Sequence, residues 1–109
     1  MEIFEDKNFK LYNSDCLDVL RGLEDNSIDS VIADPPAGIS FMGMSFDTNR
    51  GGRDNWINWL TEIMVEVKRV LKHGGHGLIW CIPKHSHWTT ISIENSSTIL
   101  PDFLSLPTL

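Results

Sequence analysis

From Asp54 to Lys72 the chain carries the strongest folding constraint in its sequence. Trp56, Ile57, Trp59, Leu60, Ile63, Met64, Val67, Val70 and Leu71 fall on one helical stripe, and Glu62, Glu66, Lys68, Arg69 and Lys72 lie off it. A stripe that wide has to be buried against another element. Val31-Ile32-Ala33 precedes it and Gly77-Leu-Ile-Trp-Cys-Ile82 follows it, both short apolar runs bounded by turn residues. Runs of that length read as buried strands. Strand, helix, strand with a crossover of this length implies a parallel pair.

The remaining elements extend this frame. Phe9-Lys-Leu-Tyr12 alternates weakly and leads into Asn13-Ser-Asp15, a strand end followed by capping residues. Leu17, Leu20 and Leu23 have helical spacing, a helix of about two turns. Ser27 to Asp34 is the next strand, and Asp34-Pro35-Pro36 ends it because proline cannot donate to a ladder. Residues 37–53 hold four glycines and no period, a long loop of the kind that carries function. Asp54 reads as the cap of the long helix, and Gly74-Gly75 as its stop. His76 to Ile82 is the third strand, and a poor helix from Ser86 to Ile93 follows. The expected fold class is α/β, a mostly parallel sheet with helices on its faces in three αβα layers. Residues 1–95 form the expected domain and 96–109 an atypical tail. With three strands, the stripe from Trp56 to Leu71 outruns its cover, so a homo-oligomer or a further half of the domain is expected.

The chain has 109 residues and a net charge of −6, which argues against a nucleic-acid-coating protein. Residues 1–34 hold nine acidic and three basic side chains, whereas residues 35–100 hold five acidic and six basic. A polyanion therefore has access to the second part. Two isolated cysteines, Cys16 and Cys81, favour a reduced, cytoplasmic setting. No apolar run is long enough for a membrane span, and the polar start MEIFEDKNFK is no signal peptide.

Asp34-Pro35-Pro36-Ala37 stands at the carboxyl end of a buried strand, where open parallel sheets bind ligands. A turn-forming Asp-Pro that merely ends the strand is the alternative. His73-x-x-His76 and His85-x-His87 do not read as a metal site, because neither cysteine has partner spacing. Gly74-Gly-His-Gly77 precedes a strand instead of following one, so it is no phosphate loop.

Leu11-Tyr-Asn-Ser-Asp-Cys-Leu-Asp-Val-Leu20, Ser27-Ile-Asp-Ser-Val-Ile-Ala-Asp-Pro-Pro36 and Leu71-Lys-His-Gly-Gly75 together resemble the opening of amino-group DNA methyltransferases. The likeness spans about residues 9–93. It points to the permuted class in which the Asp-Pro-Pro motif comes first, and Asp34-Pro-Pro-Ala-Gly-Ile-Ser-Phe-Met-Gly43 is similar to its prophage-type members. The resemblance implies a Rossmann-like methyltransferase fold, S-adenosylmethionine as cofactor, double-stranded DNA as partner and adenine N6 as target. Cytosine N4 is the alternative amine. A non-catalytic, oligomerising remnant is the alternative of another class.

By that resemblance Asp34, Pro35, Pro36 and Ala37 carry catalysis. An exocyclic amine has its lone pair delocalised into the ring. The Asp34 carboxylate and the Pro35 carbonyl can each accept one of its N–H groups and turn the lone pair toward the methyl donor. Asp15, Cys16, Leu17, Asp34 and Pro35 are the implied cofactor contacts, with helix capping as the other role for Asp15. Flipping a base out of a duplex calls for an aromatic platform. Ala37 stands where the family usually has an aromatic, so Phe41 takes that role first, then Phe46 and Trp88, with Lys84, His85 and His87 near phosphate or base. The family's F-x-G-x-G cofactor loop has no counterpart in this sequence, so the chain reads as the N-terminal, catalytic-motif half of such an enzyme.

Overall fold

The computed structural model describes residues 1–96 and the backbone of strand 103–107. Strand β1 (Glu2–Glu5) pairs antiparallel with β2 (Lys10–Asn13), Ile3 opposite Tyr12 and Phe4 opposite Leu11. Helix α1 (Cys16–Arg21) and strand β3 (Ile28–Ala33) follow. The long loop then leads into helix α2 (Arg53–Val70), which runs straight into strand β4 (Leu71–Cys81). Helix α3 (Ser86–Asn95) and strand β5 (Phe103–Pro107) complete the order. The second sheet is parallel, in the order β3-β4-β5.

The βαβ unit around α2 is the one the sequence dictates. The segment Phe9–Tyr12 differs, because it belongs to the hairpin sheet and not to the parallel one. Local turn chemistry decides this. Asp6 Oδ1 accepts the amides of Asn8 and Phe9 at 2.6 and 3.1 Å, and the Asp6 amide donates to Phe9 O at 3.0 Å. An aspartate that satisfies amides two and three residues on closes a turn and returns the chain on itself. The acidic run Glu2-Ile-Phe-Glu5 gave no strand signal of its own.

The ends of α2 also differ from expectation. Gly52, at φ 126°, is the N-cap, and Asp54 sits in the first turn beside Arg53. The helix stops at Val70, ahead of Gly74-Gly75, which lies inside β4. A Cβ on Gly75 would come within 2.9 Å of Asp29 O and of Lys72 O, so the glycine allows β3 and β4 to approach where their register shifts. The last turn is held from outside: Ser27 and Asn26 amides donate to Val70 O and Arg69 O at 2.8 and 3.0 Å. Arg69 adds bonds to Leu20 O and Leu23 O and ion pairs with Asp25 and Glu66, which ties α1 to α2.

The α2 stripe is covered, contrary to the expectation that it outruns its partners. Trp56, Ile57, Leu60, Ile63, Met64, Val67, Val70 and Leu71 are all buried, packed with Ile79, Ile93 and the partly buried Leu17, Leu20, Val31 and Trp88. Lys68 Nζ donates to Ile93 O at 2.7 Å and Ser92 Oγ to Ile57 O at 3.3 Å, which fixes α3 against α2. Along β4, Gly77, Ile79 and Cys81 are buried and Trp80 between them is exposed. Ile32 is 72% exposed and Trp80 38% exposed. Among the described residues the parallel sheet is therefore covered on one face, two layers where the sequence reading gives three. None of the described helices is long and apolar enough to cross a membrane.

Candidate active site

β3 delivers Asp34 to the surface at its carboxyl end. The side chain is exposed, while Pro35, Pro36 and Ala37 are half-buried as the chain turns under. The loop that follows is ordered by one residue, Asp47. It is 3% exposed, and its Oδ1 accepts the Gly38 amide at 2.9 Å and its Oδ2 the Phe41 amide at 2.8 Å. Ser40 N donates to Asp47 O at 2.6 Å, closing the loop a second time. Burial alone would raise the Asp47 pKa. The amides of Phe41, Gly38, Ile39 and Ala37 outweigh it and hold the carboxyl below the usual aspartate range. A buried carboxylate is therefore spent on orienting the backbone directly after the Asp-Pro-Pro turn.

Below that turn lies a small cleft lined by Pro35, Ala37, Trp56, Trp80, Cys81, Ile82, His85 and Thr89. Gly38 crosses close over Trp56: at φ +81°, a Cβ there would sit 2.8 Å from the indole nitrogen. His85 is buried and stacks on Trp88 at 3.6 Å, and Trp88 meets Trp56 at 5.7 Å. Burial first, then the Lys84 and His87 charges, push the His85 pKa down despite the pull of Asp47, so the ring is neutral near pH 7. Its Nδ1 and the Trp56 Nε1 are buried without a hydrogen-bond partner.

The other residues singled out from sequence separate into three places. Asp15 caps α1, its Oδ1 accepting the Leu17 amide at 2.8 Å, and its second oxygen is free to accept from a ligand. Cys16 follows on α1, where desolvation about its sulfur and then the Asp15 charge raise its pKa, so it is a thiol and not an activated nucleophile. Phe41 and Phe46 are 58% and 60% exposed on the loop beside the Asp-Pro-Pro turn. His87 is exposed, whereas Trp88 is half-buried in the aromatic cluster. Asp47, Trp56 and His85 organise the region. Sequence reasoning sets His85 near phosphate or the target base, whereas the structure buries it against Trp88, and it gives Asp47 and Trp56 no ordering role. For Asp47 a signal existed: it is the only carboxylate between Ala37 and Arg53.

Three curated proteins match this chain over most of its length. The Type II methyltransferase M.BamHI of Bacillus amyloliquefaciens is 35% identical over 78% of the chain. M2.MboI of Moraxella bovis is 32% identical over 88%, and M.BglII of Bacillus subtilis 31% over 89%. The chain is similar to Type II methyltransferases over most of its own length. It spans 19%, 40% and 26% of the lengths of those three relatives. No family profile matches it. The Asp34-Pro35-Pro36 turn, the loop held by Asp47 and the α2 unit all lie in a chain matched at this level.

Proposed function

We propose that the chain carries the amine-orienting part of an S-adenosylmethionine-dependent DNA methyltransferase acting on adenine N6. The observation that carries this reading is Asp34-Pro35-Pro36 at the open carboxyl end of β3, with Asp34 exposed and the chain held again at Gly38 by Asp47. An exposed carboxylate next to a carbonyl on a proline-stiffened backbone gives two fixed acceptors. Two N–H bonds to them would hold an exocyclic amine with its lone pair aimed in one direction. Attack on a sulfonium methyl needs alignment above all, so preorganised acceptors are the useful contribution.

The bound cofactor supplies an electrophilic methyl group. Asp15 suits part of such a ligand, because one of its oxygens caps α1 and the other can accept from a hydroxyl or amine. Leu17 and Cys16 lie beside it on the same helix. Phe41 and Phe46, exposed on the loop that follows Asp34, are the reading's base contacts, with His87 exposed after the end of β4.

The test is methyl transfer by the chain joined to the remaining length of a full methyltransferase, on duplexes offering either adenine or cytosine as the amine. Adenine methylation that drops on the order of a hundred- to a thousandfold in Asp34→Asn at saturating cofactor supports the reading. Near-normal turnover in that variant overturns the mechanism. Methylation confined to cytosine reassigns the target to N4.

A further inference from the structure

The hairpin β1–β2 stands outside the core. Every residue from Met1 to Leu11 is exposed, Tyr12 is half-buried, and none of them belongs to the cluster around α2. Its apolar side chains, Ile3, Phe4, Phe9 and Leu11, are between 48% and 58% exposed. Two strands alone are marginal in water, and a third strand or more is needed to hold them. The ladder shows which groups a third strand would meet. Asp6 N donates to Phe9 O at 3.0 Å. Antiparallel pairs alternate, so Phe4 and Leu11 are the next pair bonded to each other. The N–H and C=O groups of Lys10 and Tyr12 therefore face outward from β2, and those of Ile3 and Glu5 outward from β1.

We propose that β2 pairs antiparallel with β2 of a second copy of this chain, about a two-fold axis at Leu11. Such an axis keeps each side chain on its own face of the sheet, and directly opposite residues share a face. A symmetric pair must therefore centre on one residue set against its own copy. Centred on Leu11, the two leucines meet, and Lys10 lies opposite Tyr12 in both directions. That register uses all the outward backbone groups of Lys10 and Tyr12. It also repeats between copies a contact that exists within one, because Lys10 Nζ already lies 5.3 Å from the centroid of the Tyr12 ring. On the other face Phe4 stands beside Leu11, so the row Phe4, Leu11, Leu11, Phe4 becomes continuous across the axis. The β1 edge has no equivalent solution. Centred on Phe4, it sets Glu2 against Asp6 of the second copy, like charges opposite each other, and charged edges are a way of blocking edge pairing. Centred on Tyr12, β2 would set Leu11 against Asn13. This contact is separate from the α2 stripe and from Asp34, and it does not depend on the methyl-transfer reading.

The test is sedimentation velocity of the purified chain over a dilution series, beside Leu11→Lys and Ile32→Lys. The wild type should pass from dimer to monomer on dilution. Leu11→Lys puts like charges at the axis and should move the midpoint to at least about tenfold higher concentration. Ile32→Lys, on the uncovered face of the parallel sheet, should leave it unchanged. Register is read by cross-linking in a Cys16→Ser background, which removes the exposed native thiol. Leu11→Cys should form an intermolecular disulfide under mild oxidation, because residues opposite in a non-hydrogen-bonded pair have Cα atoms about 4.5 Å apart. Phe4→Cys, on the far strand of the hairpin, should not. A monomer at every concentration overturns the proposal. A dimer broken by Ile32→Lys and kept in Leu11→Lys overturns it too, and moves the contact to the open sheet face. Cross-linking through Phe4→Cys in place of Leu11→Cys overturns it in favour of the β1 edge.

Discussion

Asp34 and Asp47 divide the work of one short stretch between an exposed carboxylate and a buried one. Asp34 stands exposed, while Asp47 takes up the Gly38 and Phe41 amides that follow it. Replacing Asp47 with asparagine would put a donor against one of those amides. A bond to a charged partner contributes about 1.5–3 kcal/mol, so Asp47→Asn should lose roughly that much stability in urea unfolding near neutral pH. The pH dependence follows from the sign of the shift. A carboxyl whose folded pKa lies below its unfolded value stabilises the fold fully above about pH 4 and ceases to as the pH falls through the folded value. The stability gap between wild type and variant should therefore close on acidification. A gap that stays constant to pH 2 would show that Asp47 acts by shape alone. His85 contributes with the same slope in a higher window: its folded pKa is depressed, so stability is lost as the pH falls from about 6.5. Wild type and His85→Phe should accordingly diverge in pH dependence between about pH 5 and 7, with the variant flatter.

At the scale of elements, α2 and its two flanking strands were legible because one stripe and two apolar runs have a single solution. Leu60 lies at the centre of that stripe and is fully buried, so Leu60→Ala should cost about 2–5 kcal/mol, a large share of the stability of a chain this size. Equilibrium unfolding measures it directly, and a loss under 1 kcal/mol would mean that the stripe is not the core. The Asp-Pro-Pro turn and its position at the end of β3 were legible for the same reason: prolines end strands, and this strand has a clear apolar interior. Two features were not. The β1–β2 hairpin depends on the Asp6 side chain accepting two amides, a bond that periodicity does not carry. The order in loop 37–52 depends on Asp47 reaching back six to nine residues to Phe41 and Gly38, and a sequence with four glycines shows only the absence of a period. Gly38 is where this loop meets α2, in a left-handed conformation directly over Trp56. Gly38→Ala should strain the backbone by about 1–2 kcal/mol and displace the indole as well. A changed near-ultraviolet tryptophan signal with native far-ultraviolet dichroism is the expected result, and an unaltered tryptophan environment would count against this packing.

For the molecule as a whole, the arrangement separates what the chain can hold from what it can orient. Asp34 and Pro35 sit at one end of a parallel sheet, and Asp15 caps helix α1, whose Leu17 and Leu20 pack against the core that α2 builds. The cleft below the Asp-Pro-Pro turn is small and mostly apolar, no residue of α1 lines it, and Trp56 Nε1 and His85 Nδ1 are its polar atoms without a partner among the described residues. A cofactor with a charged amino-acid part and a nucleoside part needs more polar partners than two exposed carboxylates provide, because every buried polar group left unpaired subtracts from affinity. Ile32 and Trp80 on the uncovered sheet face mark where further structure would pack in a larger assembly. The chain alone should therefore bind S-adenosylmethionine more weakly than about 100 µM, corresponding to less than roughly 5.5 kcal/mol. Isothermal calorimetry with the purified chain decides this, read beside sedimentation so that binding by a monomer and by an assembled form are told apart. Micromolar binding by a monomer would mean that Asp15 and Asp34 belong to one complete pocket, and the separation argued from α1 and β3 would be wrong. Micromolar binding by a dimer would instead mean that a second copy supplies the missing polar partners, and in that case Trp80 emission should shift to the blue as the open face is covered.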